Sequence, residues 1–575
     1  MDYHWKIKDV RNHINIINGE NNPDIVFQNA RYLHSMLKQW VKGNIWVSGD
    51  RIVYTGQEMP KNVVGTEIID VENKAIVPGY IEPHVHPTQL YNPQSFADYA
   101  AQGGTTTFIS DNLTLLLMLK EKKAFSLIEK LNTLPFIFYW WARFDAQTEI
   151  YNEEEIFTTS SVQQWLDRSD VLLGGELTGW PRLLQGDNQM LHWILQAKHI
   201  NKKIEGHFPG ASSNTLAKMK LIGADGDHEA MTFEDVEKRI LHGYVVTLRH
   251  SSIRQDLESI LKDVIDKQLA IFDHLMMTTD GSTPSFYRKG VMDQCIQLAL
   301  DAGVSPIDAY QMASYNIARY YDLTHYQGII ATGRVATFNI LKDEFTPTPE
   351  SVLSKGVWLK RDGIKSYTFD AVDWQEEKNF EVSFDVEEKD FQFSTPLGIK
   401  LENDVITKPY NVTAQVVDGQ IIGDLDECFL MLVDRNGKWR VNTFIKGFAT
   451  NIDGLISSYS NTGDFIFIGK NLHSMKKAFV EFKKMKGGIV LVDKDEVIAS
   501  IPLAINGLLS ESNFEELMDQ ELVLKQALMD RGYHLGDAIY SLLFLQSTHL
   551  PYIRITPKGI FDVMKNKLLL PAVMR

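Results

Sequence analysis

The sequence predicts an α/β protein built on a (β/α)8 barrel of the TIM type, flanked by a small β-sandwich domain and followed by a C-terminal α/β domain. Three observations predict it. Short apolar runs alternate with amphipathic segments about eight times between residues 75 and 285. Polar residues gather at the C-terminal ends of those runs, the rim where barrel enzymes place their chemistry. Strand-like text broken by turn residues lies on both sides of that region.

The first β text is Asp24-Ile-Val-Phe, then Asn44-Ile-Trp-Val and Arg51-Ile-Val-Tyr, with Gly49-Asp50 as a hairpin signal. Residues 1–74 therefore form an N-terminal segment and the first part of the small β domain. The barrel is expected over 75–323. Its strands are read in the runs 75–86, 105–112, 136–145, 172–180, 203–207, 224–229, 244–252 and 269–280. Their near-continuous apolar character suits strands covered on both faces. His274, inside the last run, reads as a satisfied core residue. The aromatic run 136–144 reads as strand core, with Trp140 or Trp141 able to face a ring. Residues 304–321 read as a further helix. The text from Gly328 to Ile340 returns to strand, so 324–375 is the second part of the small β domain. A charged, irregular stretch at 370–395 marks a boundary. Residues 385–575 mix strands such as Gly488-Ile-Val-Leu-Val-Asp with helices such as 515–531, and form the C-terminal α/β domain.

Composition narrows the function. The chain has 575 residues, 44% hydrophobic and 23% charged, the values of a folded globular protein. A net charge of −16 argues against a nucleic-acid or acidic-membrane binder, which would present a basic face. Two cysteines, Cys295 and Cys428, exclude a disulfide framework and a Cys-rich zinc site. No secretory signal and no membrane-spanning run is read, so a cytoplasmic location is expected.

The chemistry begins at His84-Val85-His86, at the end of the first run. Residues i and i+2 of a strand point to one side, so both imidazoles can reach one point in the barrel mouth. His207 ends the fifth run, His228 the sixth, Asp280 the eighth and Glu176 the fourth. Four histidines and two carboxylates thus converge on one rim, a nitrogen- and oxygen-rich set suited to manganese, iron or zinc. Arg249 and His250, at the end of the seventh run, are candidate substrate contacts, with a structural ion pair as the alternative for Arg249. Glu229, next to His228, reads as a carboxylate at a helix N-terminus.

This arrangement resembles the amidohydrolase superfamily, and the chain is similar to the bacterial adenine deaminases within it. The resembling segments are Val77-Pro-Gly-Tyr-Ile-Glu-Pro-His-Val-His, Gly103-Gly-Thr-Thr-Thr, Gly174-Gly-Glu-Leu-Thr, Glu205-Gly-His-Phe-Pro-Gly and Gly226-Asp-His-Glu. Phe444-Ile-Lys-Gly-Phe and Gly487-Gly-Ile-Val-Leu-Val join them in the C-terminal region. The resemblance implies a dinuclear divalent centre, Mn2+ or Fe2+ first and Zn2+ next. His84, His86 and Asp280 would hold one ion, His207 and His228 the other, and Glu176 would bridge them. It implies hydrolytic deamination of adenine or a related 6-substituted purine by a metal-activated hydroxide. Asp280 would move the proton from water to the leaving amine, and Glu229 would protonate a ring nitrogen. The expected partner is a small purine-like substrate, with neither nucleic acid nor membrane, and a homo-oligomer is expected. Opening of a cyclic amide or imide, and metal binding without turnover, are the alternatives. The chain departs from the family pattern at Ser110-Asp-Asn-Leu, Arg249-His-Ser-Ser, Gly281-Ser-Thr and Ser458-Tyr-Ser-Asn-Thr-Gly-Asp. These stretches alter the pocket rim and spare the metal ligands.

Overall fold

The computed structural model describes residues 5–368, 370, 372–374, 380–422 and 426–575. Eight parallel strands form its centre: β1 (Tyr80–Val85), β2 (Thr105–Ser110), β3 (Ile137–Ala142), β4 (Val171–Leu177), β5 (Lys203–Gly206), β6 (Gly226–Asp227), β7 (Val245–Arg249) and β8 (Leu275–Thr278). Each pairs with the next in sequence order. At the seam, side chains close the barrel. The Thr278 hydroxyl lies 2.7 Å from the His84 carbonyl and 2.6 Å from the Glu82 carboxylate. Thr279 donates its backbone N–H (3.0 Å) and its hydroxyl (2.7 Å) to the same carboxylate.

Four details differ from the sequence reading. The run 75–86 is two strands. Ala75–Pro78 belongs to the flanking sheet, Gly79 turns the chain, and the barrel begins only at Tyr80. Continuous apolar text cannot show this break, because both strands are buried. His274 is not in strand core: it ends a 3-10 turn, Phe272–His274, and is exposed. The helix expected at 304–321 is two, Pro306–Met312 and Tyr315–Tyr320. Of the run from Gly328 to Ile340, only the end is strand, within Phe338–Leu341. In addition, a helix at Ile7–Asn18 precedes the first strand, where the sequence reading names only a segment.

Strands from before and after the barrel share one nine-stranded sheet, because Ala75–Pro78 pairs antiparallel with Phe338–Leu341. Phe27, Ile45, Phe338 and Leu353 anchor its core. The charged boundary stretch falls partly outside the described residues, at 371 and 375–379. Beyond it, a second nine-stranded sheet carries the helices Leu472–Met485 and Phe514–Met529. One apolar core runs from barrel to C-terminal region without a gap: Tyr91, Phe96 and Tyr287 of the barrel pack on Phe514. Among the described residues, no helix is long and apolar enough to cross a membrane.

Candidate metal centre

Local backbone choices bring the rim together. β1 carries His84 and ends at Val85, and His86 follows directly after it. The loop after β8 can lie against His86 because Gly281 has no side chain. It has φ +67°, and a Cβ there would sit 2.6 Å from the His86 backbone nitrogen. Gly175, at φ +108°, precedes Glu176 for a similar reason: a Cβ would sit 2.6 Å from the Glu205 carbonyl oxygen of the neighbouring strand. Asp280 is left-handed at φ 54°, which its short polar side chain tolerates better than most. Its backbone N–H is tied to the Thr278 hydroxyl at 3.0 Å.

The six residues read as ligands meet in one buried cluster. Three groups have ligand atoms within 4.8 Å of one another: His84, His86 and Glu176; His84, His228 and Asp280; and Glu176, His207 and His228. Asp280 Oδ1 lies 3.2 Å from His84 Nε2 and 3.4 Å from His86 Nε2. Glu176 Oε1 lies 2.6 Å from His207 Nδ1 and 3.3 Å from His228 Nε2, while its Oε2 faces His86 at 3.9 Å. Glu176 therefore stands between the two histidine pairs. Trp141 is fully buried and stacks on His84 with ring centroids 4.5 Å apart, so it backs a candidate ligand from the strand core.

The donor chemistry fits a cation. Among the described residues, buried His84 Nδ1 has no hydrogen-bond partner, and His84 Nε2 and Asp280 Oδ1, 3.2 Å apart, make no hydrogen bond of good geometry. Such orphaned buried atoms are rare and call for an explanation. Burial, with His228 close by, pushes His84 down to about 4, so it is a neutral imidazole with a free lone pair. Burial opposes charge on Asp280 and Glu176. Arg249 with the two histidines His84 and His86 outweighs it at Asp280, and Arg143 with His207 and His228 at Glu176, so both stay ionised. Burial likewise opposes charge on His86 and His228. Asp111 and Asp280 nevertheless raise His86 to about 9, and Glu176 and Glu205 raise His228 well above its ordinary value. Protons thus supply positive charge that a divalent cation would supply by displacing them.

Residues given no role of their own in the sequence reading hold this cluster. Asp111, at the end of β2, accepts from Arg143 at 2.7 and 2.8 Å and meets His86 Nδ1 at 2.8 Å. Arg143, at the end of β3, also reaches Glu176 at 2.8 Å. Both are strand-end charges in an apolar run, which is the signal that could have found them. Asp227 accepts the backbone N–H groups of Phe208 (2.9 Å) and Glu229 (3.0 Å) and pairs with the buried Arg239. It thereby fixes the backbone beside His207 and His228.

Two sequence readings change, those of Glu229 and His250, and Arg249 takes its ion-pair alternative. Glu229 is not at a helix N-terminus, since the next helix starts at Phe233. It sits between Arg249 and Arg254, 2.7 Å from each. Burial works against its charge, but His207 and the two guanidinium groups hold it at about 2, so it carries no proton to donate. Arg249 spends both ends of its guanidinium on protein carboxylates, Glu229 at 2.7 Å and Asp280 at 2.6 Å. His250 turns away from the cluster and packs on Phe286, ring centroids 5.1 Å apart. Strand alternation explains this: Arg249 points inward, so its neighbour points out.

A cavity opens beside the cluster. Its barrel wall includes His86, Gln89, Asp111 and Gln147, and its far wall includes Tyr459, Ser460 and Asn461. The C-terminal region therefore covers the barrel mouth of its own chain. Tyr459 hydrogen-bonds Gln89 across the gap, Tyr540 bonds the Gly281 carbonyl, and Thr283 bonds Asp537 at 2.8 Å. From the same region His549 meets the cluster itself, its ring edge-on to that of His207 with centroids 5.4 Å apart. No strand rhythm or spacing marks it in the sequence.

Comparison with known proteins agrees with this architecture. Residues 75–359 match the amidohydrolase family, and residues 404–567 match the adenine deaminase C-terminal domain. The chain is 48% identical over 575 residues to "Putative adenine deaminase YerA" of Bacillus subtilis (strain 168), covering 100% of this chain and 99% of that one. It is 49% identical over 576 residues to "Putative adenine deaminase BH0637" of Halalkalibacterium halodurans, again covering 100% and 99%. "Adenine deaminase" of Kosmotoga olearia is 26% identical over 572 residues, covering 97% and 98%. Barrel, candidate metal groups and C-terminal domain together lead to one assignment: this chain is an amidohydrolase-family hydrolase and belongs, over its full length, to the adenine deaminase family.

Proposed function

We propose that the chain is a metal-dependent aminohydrolase that converts adenine, or a related 6-substituted purine, and water into the 6-oxo purine and ammonia or an amine. The observation that carries this reading is the position of Glu176 between two histidine pairs on the rim of an adenine deaminase-like barrel. His84, His86 and Asp280 would hold one divalent cation, His207 and His228 a second, and Glu176 both. The all-nitrogen and oxygen donor set suits Mn2+ or Fe2+, with Zn2+ as the next choice. Bound there, the ions would polarise the substrate and lower the pKa of water toward neutrality.

The chain's own residues do the rest. Asp280 points Oδ1 toward His84 and His86 and is fixed at Oδ2 by Arg249. From that place it takes the proton of the attacking water and returns it to the departing amine. Glu229, ionised between two arginines, accepts a hydrogen bond from a ring N–H; it can donate only after it has taken a proton. The C-terminal wall of Tyr459, Ser460 and Asn461 limits water around the reacting carbon.

Incubating manganese-loaded protein with adenine, other 6-aminopurines and 6-alkylaminopurines tests this. A shift of the purine absorbance from that of the 6-amino to that of the 6-oxo ring, with stoichiometric ammonia or amine, is expected, and Asp280→Asn should abolish it. An inert purine panel beside ring opening of dihydrouracil or hydantoin would replace the proposal with cyclic-amide hydrolysis. Silence on both panels would leave metal binding without turnover.

A further inference from the structure

Resting on that reading of the site, we propose that His549, supplied by the C-terminal domain, is a specificity-determining residue that hydrogen-bonds the polar edge of the substrate ring.

Its placement is the first observation. His549 stands edge-on to the candidate ligand His207, with ring centroids 5.4 Å apart. It is not a member of any of the three candidate metal groups found among the described residues. Its Nδ1 is buried and has no hydrogen-bond partner among those residues. A buried imidazole nitrogen left unpaired costs free energy, which a ligand's N–H or ring nitrogen would recover.

The second observation is how firmly its loop is held. The Gln546 carbonyl accepts from the Thr148 hydroxyl at 2.7 Å. The Thr548 backbone N–H donates to the Gln147 carbonyl at 2.8 Å, which ties the loop to the segment after β3. Asn461, on the cavity wall, donates to the Ser547 hydroxyl at 2.9 Å. Behind the loop, the fully buried Arg554 donates to the carbonyls of Phe544 (2.9 Å), Pro551 (3.1 Å) and Val405 (2.9 Å). The loop is thus fastened on the barrel side, on the cavity side and from behind. A side chain held this way keeps one direction, which is what discrimination between similar rings requires.

The chemistry that His549 would recognise is a planar nitrogen heterocycle whose N–H or ring-nitrogen edge faces the C-terminal domain. Phe544, with its ring centroid 6.3 Å from that of His549, adds an apolar flank.

The test uses the full-length, manganese-loaded protein and two variants, His549→Phe and His549→Asn. Asn keeps a hydrogen-bonding group near the Nδ1 position, and Phe removes it. Binding of adenine, hypoxanthine, dihydrouracil and hydantoin is read by thermal shift and equilibrium dialysis, with metal content measured in parallel. Every ring that binds the wild type should bind His549→Phe roughly tenfold more weakly or worse, the scale of one lost hydrogen bond. His549→Asn should recover most of that loss, and metal content should stay constant in all three proteins. Where turnover is seen, KM should rise more than kcat falls. Unchanged binding in a folded His549→Phe overturns the assignment and leaves the purine reading intact. Loss of a metal equivalent also overturns it, since His549 would then be a ligand. If only dihydrouracil or hydantoin binds, with the same loss in His549→Phe, the purine reading fails and His549 stands. If no ring binds the wild type, both fail.

Discussion

His84 and Asp280 carry the strongest residue-scale argument for a cation: a buried imidazole nitrogen without a partner, and an imidazole nitrogen and carboxylate oxygen 3.2 Å apart that make no hydrogen bond of good geometry, among the described residues. Around them, charge is balanced by Arg143, Arg249 and Arg254. Arg143 is the sharpest test at this scale, because it orients Asp111 and Glu176 together. Arg143→Met should leave both carboxylates without their guanidinium and lower metal affinity by about 10–100-fold, read by competition with a chelator. Unchanged affinity would mean the guanidinium is only filling space. The candidate ligands are legible in the sequence because each lies at a strand end, and strand ends are where a barrel exposes polar groups. His250 reads as a substrate contact for the same reason, and the structure places it elsewhere. Ending a strand does not say which way a side chain points, and at β7 the inward position belongs to Arg249. His549 is not legible at all, since its proximity to His207 depends on how two distant parts of the chain pack.

At the scale of single elements, the strand rhythm predicts all eight barrel strands, but not the break at Gly79. Two buried strands in succession read like one. The loops are less legible, because what fixes them is tertiary. The Asp227–Arg239 pair is the example: it joins β6 to the helix Phe233–Leu241 and pins the backbone beside two candidate ligands. Arg239→Met removes one partner from a buried pair and should destabilise the fold by about 3–5 kcal/mol in urea unfolding. Asp464 gives a pH test on the cavity side of the C-terminal domain. Burial raises its carboxyl to about 7, against the pull of the Thr462 hydroxyl and the Arg435 backbone N–H. The folded state then holds a proton that the unfolded state has released. Stability should therefore fall as pH rises from about 4 to 7, by about 1.4 kcal/mol per pH unit from this group. Asp464→Asn should flatten that slope in urea titrations at stepped pH, and an unaltered slope would assign it elsewhere.

Over the whole molecule, barrel and C-terminal domain are joined by one continuous apolar core and by polar ties at the rim. The cavity needs both, since Gln89 and Asp111 face Tyr459 and Asn461 across it. A shared core predicts shared unfolding: calorimetry should show one cooperative transition in place of two. Phe514→Ala, which empties the aromatic contact with Tyr91, Phe96 and Tyr287, should cost about 3–5 kcal/mol. Two resolved transitions, with only the C-terminal domain shifted by Phe514→Ala, would show that the halves are independent. The central claim, however, concerns the rim cluster, and the most direct measurement is metal stoichiometry. Protein purified without chelator and reconstituted with Mn2+ should hold two divalent ions per chain by elemental analysis, and Glu176→Gln should lose both or bind them far more weakly. A wild-type protein that retains no divalent metal, or a Glu176→Gln protein that retains two as tightly, would contradict the account.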